Sequence, residues 1–399
     1  MLLEQEMKTT LRILEIEETC TGCGGCVSVC AKNALSLKYN EEGFYYPLLD
    51  EEKCVDCKFC EKACHVLNNI VPEKPSRNYD AYMLKAKDKD IVRKSSSGGI
   101  FTLLADEIIR QNGVVYGARY NYEKERLEHA SSDDCSLDDL RKSKYIESYS
   151  GDIFKDVRKQ LIEGRKVLFC GTPCQIEGLH KYLEVKRVVT TNLLLVRFVC
   201  HGVPSNRFFT EYKHYEEAKA DSKMVYFDFR PKTRGWRNSD WLMIFANGKK
   251  ETGPYYYYYY YYYYYFQLCS LLRKSCYSCK RVFHDVADIT IGDFWGIGKY
   301  MPDNKDQEGI SMALVHSKKG FNALNQISDF EYVERIPVEA TDYIFREMAE
   351  RVFLLDKRCN IMTKVLKNGY MKVAQKTLRF PMLTWRLKNF VKKLLGRKI

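Results

Sequence analysis

No run of about 18 apolar residues occurs in this 399-residue chain, which excludes a helix that spans a membrane. Met1–Thr19 has no apolar core of signal-peptide length and carries acidic residues throughout, so no secretory leader is expected there. The 43 residues of Lys357–Ile399 contain no Asp or Glu, yet hold 13 Lys or Arg. The other 356 residues set 51 basic against 52 acidic groups, a net of −1, so the formal charge of +12 belongs to a tail. The body lacks the basic excess of a nucleic-acid binder, and no nucleic-acid partner is expected. A Ser–His–Asp order, a paired-carboxylate signature and the C-x3-C-x2-C of radical SAM enzymes are missing as well. Hydrolytic chemistry has no support.

Cysteine is what the chain has in excess, and unevenly. Eight of the 16 lie between Cys20 and Cys64, a window of 45 residues. A disulfide scaffold would be a short secreted chain, so these are expected to be reduced metal ligands in a cytoplasmic protein. Cys20, Cys23, Cys26 and Cys30 spell C-x2-C-x2-C-x3-C, and Cys54, Cys57, Cys60 and Cys64 repeat it. Three closely spaced thiolates wrap one face of an iron–sulfur cube while the fourth reaches the other cube. One [4Fe–4S] cluster is therefore assigned to Cys20, Cys23, Cys26 and Cys64, the second to Cys54, Cys57, Cys60 and Cys30. Ala31 and His65 stand where this pattern usually has proline. Zinc is the competing reading, but zinc sites rarely carry the triple spacing twice.

Beyond the head, the expected fold class is α+β: a small bacterial-type ferredoxin domain (1–70), a linker (71–78), a larger mixed α/β domain (79–356) and a basic helical tail (357–399). Strands are expected at Asp80–Lys85, Val114–Arg119, Lys166–Cys170, Leu193–Cys200, Met224–Arg230 and Trp241–Ala246. Helices are expected at Gly99–Gln111, Ile153–Glu163 and Asn206–Ala220. Tyr255–Tyr265 is an unbroken tract of 11 tyrosines without period, read as repeat expansion in a helical segment and given no function. Leu383, Leu387, Phe390, Val391, Leu394 and Leu395 fall at helical spacing among lysines, with Pro381 at the expected helix start. Such a helix either lies on an anionic membrane, giving peripheral attachment, or docks its apolar face on the body or a partner.

Four further cysteines sit in suggestive contexts. Cys174 and Cys200 each follow an expected strand, and Cys276 and Cys279 form a C-x2-C pair. On spacing alone, a third cluster, a structural zinc and unliganded buried thiols compete. Cys135, Cys170, Cys269 and Cys359 have no such company and read as ordinary, mostly buried residues.

The motifs in order are more specific. After the head come Lys94-Ser-Ser-Ser-Gly-Gly99, Gly171-Thr-Pro-Cys-Gln175, Cys200-His-Gly202, Cys276-Tyr-Ser-Cys-Lys280 and Asp288-Ile-Thr-Ile-Gly-Asp-Phe-Trp-Gly296. From about Cys20 to about residue 355 the chain resembles the coenzyme F-420 hydrogenase/dehydrogenase beta subunit family. The resemblance implies an iron–sulfur flavoprotein oxidoreductase that moves electrons through FAD to or from an organic or deazaflavin (F-420-like) partner. It makes Cys174, Cys200, Cys276 and Cys279 the ligands of a third [4Fe–4S] cluster. The redox partner is expected to be a protein or reduced cofactor, and the acceptor a small molecule.

For FAD, Ser95, Ser96, Ser97, Gly98 and Gly99 precede an apolar helix whose N-terminal N–H groups suit a pyrophosphate. An ordinary Ser N-cap would give the same pattern. Arg230 and Lys232 are candidates to hold the anionic cofactor or substrate, against solvated surface charge. Asp293 is a polar contact to the flavin or a structural cap, and Asp288 has the same two readings. His201 is a cluster neighbour, a proton relay or a packed histidine. A non-catalytic electron-transfer subunit feeding a separate catalytic chain is the rival reading of the whole.

Overall fold

The computed structural model describes residues 11–68, 72, 74, 76–237, 240–254, 261–284, 286–301, 306–344 and 351–379. In the head, the Gly25–Val29 helix is followed by an antiparallel hairpin of β1 (Leu35–Tyr39) and β2 (Tyr45–Leu49). The second cysteine loop then leads into the short helices Phe59–Lys62 and His65–Asn68.

The body begins with β3 (Asp80–Ala86), β4 (Val114–Asn121), β5 (Arg126–Ser131), β6 (Val167–Gly171) and β7 (Leu193–Phe198). A three-stranded antiparallel sheet follows, of β8 (Met224–Asp228), β9 (Asp240–Phe245) and β10 (Lys250–Pro254). The chain returns to the first sheet with β11 (Ile289–Asp293), β12 (Ser311–Val315) and β13 (Phe330–Ile336). The eight strands lie in the order β13-β3-β12-β11-β7-β6-β4-β5. Neighbours β4, β6, β7 and β11 run parallel, and the outer pairings are antiparallel.

The parallel strands carry buried runs such as Val167–Phe169 and Leu193–Val196, because helices cover both faces of the sheet. On one face, Ile100, Leu103 and Leu104 of the Ile100–Arg110 helix meet Val115, Leu168, Leu194 and Ile289. On the other, Ile176 and Leu179 of the Pro173–Val185 helix join Val114, Phe169 and Leu195. Val27, Leu37 and Ala63 of the head belong to that same cluster, so the head is seated on the body through a shared core.

The expected strands and helices are present within a residue or two at their ends. β5, β10 to β13 and the Pro173–Val185 helix were not anticipated. A glycine inside that helix weakens its local signature. The basic tail begins packed on the body. Arg358 is buried with its guanidinium on the Glu42 carboxylate, and Met362, Val365, Tyr370 and Ala374 enter a core cluster. The amphipathic segment 383–395 and Tyr255–Tyr260 lie outside the described residues, as do 71, 73 and 75 of the linker. Tyr261–Gln267 is helical, and the Tyr262 hydroxyl donates to the Tyr145 carbonyl at 2.6 Å. No described helix is long and apolar enough to cross a membrane.

Candidate redox site

The later cysteines meet beyond the carboxyl ends of the parallel strands. β6 ends at Gly171, and Thr172 and Gln175 form a capping box with Pro173 on the first turn of the next helix. This fixes Cys174 at the helix start, 3.1 Å from the Thr172 hydroxyl. Cys200 follows β7 and accepts from the Gly202 N–H at 3.3 Å. Cys276 ends a short 3-10 turn, and Cys279 follows in the next loop. Burial pushes the Cys200 thiol up to about 11 and Cys276 up to about 12, and Cys174 well above its ordinary value. Cys200, Cys279 and Cys276 add repulsion at Cys174, as Cys200 and Cys279 do at Cys276, so the four sulfurs lie near one another. Such thiols become thiolates when a metal centre supplies the countercharge, so the donor set fits one.

The head sulfurs gather in the same manner. Burial raises Cys26 well above the thiol range, with repulsion from Cys23, Cys20, Cys64 and Cys60. Cys23 is pushed up to about 12 by burial, with Cys64 and Cys20 adding to it. Cys20, Cys23, Cys26, Cys60 and Cys64 thus lie near one another. Burial also raises Cys60, to about 11, and Cys57 lies close enough to contribute. Cys57 itself is exposed, while Cys30 and Cys54 are half-buried in the same domain.

The head is held against the third cysteine group by polar ties and one close approach. Gly178, one turn after Cys174, faces Cys23: a Cβ there would lie 2.7 Å from its sulfur. His65, which replaces the usual proline after Cys64, is fully buried. Its Nδ1 lies 3.2 Å from Glu177, and its Nε2 lies 3.0 Å from the Thr21 hydroxyl. Glu177 also binds the Arg281 guanidinium, two residues after Cys279. Despite burial, the side-chain hydrogen bonds from His284 and His65 hold the Glu177 carboxyl far below the usual range.

A cavity of about 710 Å³ adjoins both groups. Its wall includes Thr21 and Gly22 of the head, Cys174 and Cys200 of the third group, and the Ser95–Gly99 loop. The loop is built differently from a serine cap. Gly99, at φ 96°, is the N-cap of the Ile100–Arg110 helix, and no side chain caps it. Ser95 donates to the Ile91 carbonyl and Ser97 to the Ile310 carbonyl, while Ser96 accepts from the Ser143 N–H. Gly98 lies flat on Leu84 and Ser311. The first N–H groups of the helix therefore remain for a ligand.

Arg230 and Asp293 line the cavity as an ion pair, and the Arg230 guanidinium lies 5.2 Å from the Trp295 ring. Trp295, 49 % exposed, stacks on the buried Trp236 at 4.9 Å. Lys232 is placed elsewhere: its ammonium donates to the Val92 and Ser97 carbonyls, both at 2.6 Å, bracing the loop from behind. Asp288 serves the fold, accepting from the Leu195 N–H and the Ser317 hydroxyl. His201 accepts at Nδ1 from Arg351 at 3.0 Å and turns Nε2 toward Cys269, 3.2 Å away. Cys359 is exposed, contrary to expectation, and Cys170 lines the cavity.

Several lining residues carried no sequence signal. Seven lining side chains are Lys or Arg and two are carboxylates. Among them Lys144 donates to the Arg141 carbonyl at 2.7 Å, and burial pulls its ammonium down to about 8. His129 stacks on Phe169 and bridges Ser148 and the Cys170 carbonyl, and burial lowers it to about 4. A pocket of this size, with a cationic wall and a bare helix N-terminus, fits an anionic dinucleotide such as FAD.

Residues 19–68 match the 4Fe-4S dicluster domain, and residues 164–341 match the family defined by the C terminus of the coenzyme F420 hydrogenase/dehydrogenase beta subunit. An uncharacterized protein of Methanocaldococcus jannaschii, MJ1349, is 26 % identical over 195 residues, covering 41 % of this chain. The chain spans about half the length of that curated relative, 53 %. A chain in the xenon-derivatized F420-reducing [NiFe] hydrogenase complex of Methanosarcina barkeri superposes with a TM-score of 0.46 and 18 % identity. That match covers 72 % of this chain and 93 % of the other. Residues 19–68 are thus similar to an iron–sulfur dicluster domain, and residues 164–341 to the C terminus of the coenzyme F420 hydrogenase/dehydrogenase beta subunit.

Proposed function

We propose that this chain is an iron–sulfur flavoprotein oxidoreductase. Cys20, Cys23, Cys26 and Cys64 hold one [4Fe–4S] cluster, and Cys54, Cys57, Cys60 and Cys30 a second. Cys174, Cys200, Cys276 and Cys279 hold a third, beside FAD in the cavity. One observation carries this reading: a single cationic cavity touches the Cys20–Cys23 loop, the third cysteine group and the uncapped helix N-terminus. When bound, the clusters supply one-electron carriage and the flavin pairs two electrons with a proton.

The chain's own residues bind and orient. The N–H groups after Gly99 and the Lys144 ammonium receive the anionic part of the cofactor. Arg230 and Asp293 fix Trp295 at the rim, where a small organic or deazaflavin acceptor is received. The exposed Cys57 side of the head faces the one-electron donor, a redox protein or reduced cofactor. Two electrons leave that donor singly, and the acceptor gains both together with a proton. The test is anaerobic reduction of the loaded protein by a one-electron viologen donor, followed by mixing with oxidised deazaflavin and a panel of organic acceptors. Reversible bleaching of flavin absorbance supports the reading; clusters that cycle in a flavin-free chain favour an electron carrier for a separate catalytic chain.

A further inference from the structure

Arg273 lies three residues before Cys276 and is 1 % exposed, yet it serves the head. Its Nε donates to the Cys20 carbonyl at 2.7 Å, and its Nη2 to the Tyr45 carbonyl at 2.9 Å. Nη1 pairs with Glu147, whose other carboxylate oxygen accepts from the Tyr45 N–H at 3.0 Å. The guanidinium stacks on Tyr46 at 4.1 Å. Its charge acts on the Cys20 sulfur and on the Cys276 sulfur. Gly22, at φ 66°, is what admits it: a Cβ there would lie 2.9 Å from Nη1 and 2.9 Å from the Tyr45 carbonyl. One side chain from the third-cluster loop thus bonds the first cysteine loop at Cys20, the head hairpin at Tyr45 and, in the body, Glu147, which itself accepts from Tyr45.

We propose that Arg273 is the positioning residue of the electron relay, setting both the spacing and the potentials of the head cluster at Cys20 and the third cluster at Cys276. This rests on the three-cluster reading above. A guanidinium suits the task because its planar fork serves three acceptors at once and its charge does not titrate. Buried between two anionic thiolate clusters, it favours the reduced, more negative state of each.

The test uses the full chain, purified anaerobically and reduced in steps with dithionite, as wild type, Arg273→Lys, Arg273→Met and Arg273→Met/Glu147→Gln. The double variant avoids stranding the Glu147 carboxylate in the core. Expected is wild-type iron content, weakened magnetic splitting between the two reduced clusters in all variants, and lower potentials in both Met variants. The drop is about tenfold in the reduced-to-oxidised ratio, or 59 mV for one electron. Arg273→Lys keeps the charge and so restores the potentials without the splitting. Unchanged potentials and splitting in the double variant overturn the proposal, as does Arg273→Lys behaving like Met. Should Met variants fail to load, the Lys variant with full wild-type splitting also overturns it. Wild-type iron sufficient for only two clusters defeats the three-cluster reading itself, independently of Arg273.

Discussion

Gly178→Ala sets two effects of opposite sign against each other. In an ordinary helix interior the change stabilises by about 1 kcal/mol, since alanine is the better helix former. Here the new methyl would lie 2.7 Å from the Cys23 sulfur, 3.0 Å from its Cβ and 3.5 Å from Phe154. The neighbours cannot swing aside: Phe154 is fully buried, and Cys23 lies in a loop held at Ser150, whose hydroxyl donates to the Cys23 carbonyl at 2.8 Å. Overpacking of this kind costs about 1–3 kcal/mol, so the clash outweighs the propensity gain by up to about 2 kcal/mol. The strain falls on Cys23, a ligand of a head cluster in the proposed reading, so the expected loss is iron from the head, with the proposed third cluster retained. Iron and acid-labile sulfide analysis, with electron paramagnetic resonance of the reduced protein, reads this directly. Wild-type iron content with an unchanged or raised melting temperature would refute the packing of the head on this helix.

The remaining predictions concern single side chains. Glu177→Gln leaves the buried Arg281 without its carboxylate and is expected to cost about 3–5 kcal/mol in denaturant unfolding of the loaded protein. His129, lowered to about 4 from 6.5, is neutral in the fold, so the unfolded chain binds more protons between those values. Its contribution is intact at neutral pH and falls by about 2 kcal/mol on going to pH 5; His129→Gln removes that part of the acid-side slope. Lys144→Met is expected to weaken FAD binding by about tenfold or more in equilibrium dialysis of the reconstituted protein, while the iron content stays at the wild-type level.

The cysteine chemistry was legible because ligand spacing is local. The two head repeats needed nothing but residue order, and the fold keeps Cys20, Cys23, Cys26, Cys60 and Cys64 near one another. Long strands and helices were legible for the same reason, since their apolar runs and periods lie within one segment. What escaped was non-local. Arg273, Glu147 and Glu177 are ordinary charged residues in sequence, and become buried ties only when segments more than a hundred residues apart meet. Lys144 and Arg351 reached the cavity in the same way. Lys232 carried the right chemistry on a neighbouring strand end, but its ammonium turned back onto the Ser97 carbonyl. Composition records charge without burial: Arg358 counts toward the tail's basic excess and sits in the core.

The central claim is that one chain holds three iron–sulfur clusters beside a flavin. Cofactor analysis of the anaerobically purified full chain, with Cys174→Ser alongside, tests it most directly. The account predicts iron and sulfide for three [4Fe–4S] clusters with one FAD, and loss of one cluster's iron in the variant while the head keeps its own. Iron for two clusters without FAD, unchanged by Cys174→Ser, would contradict it.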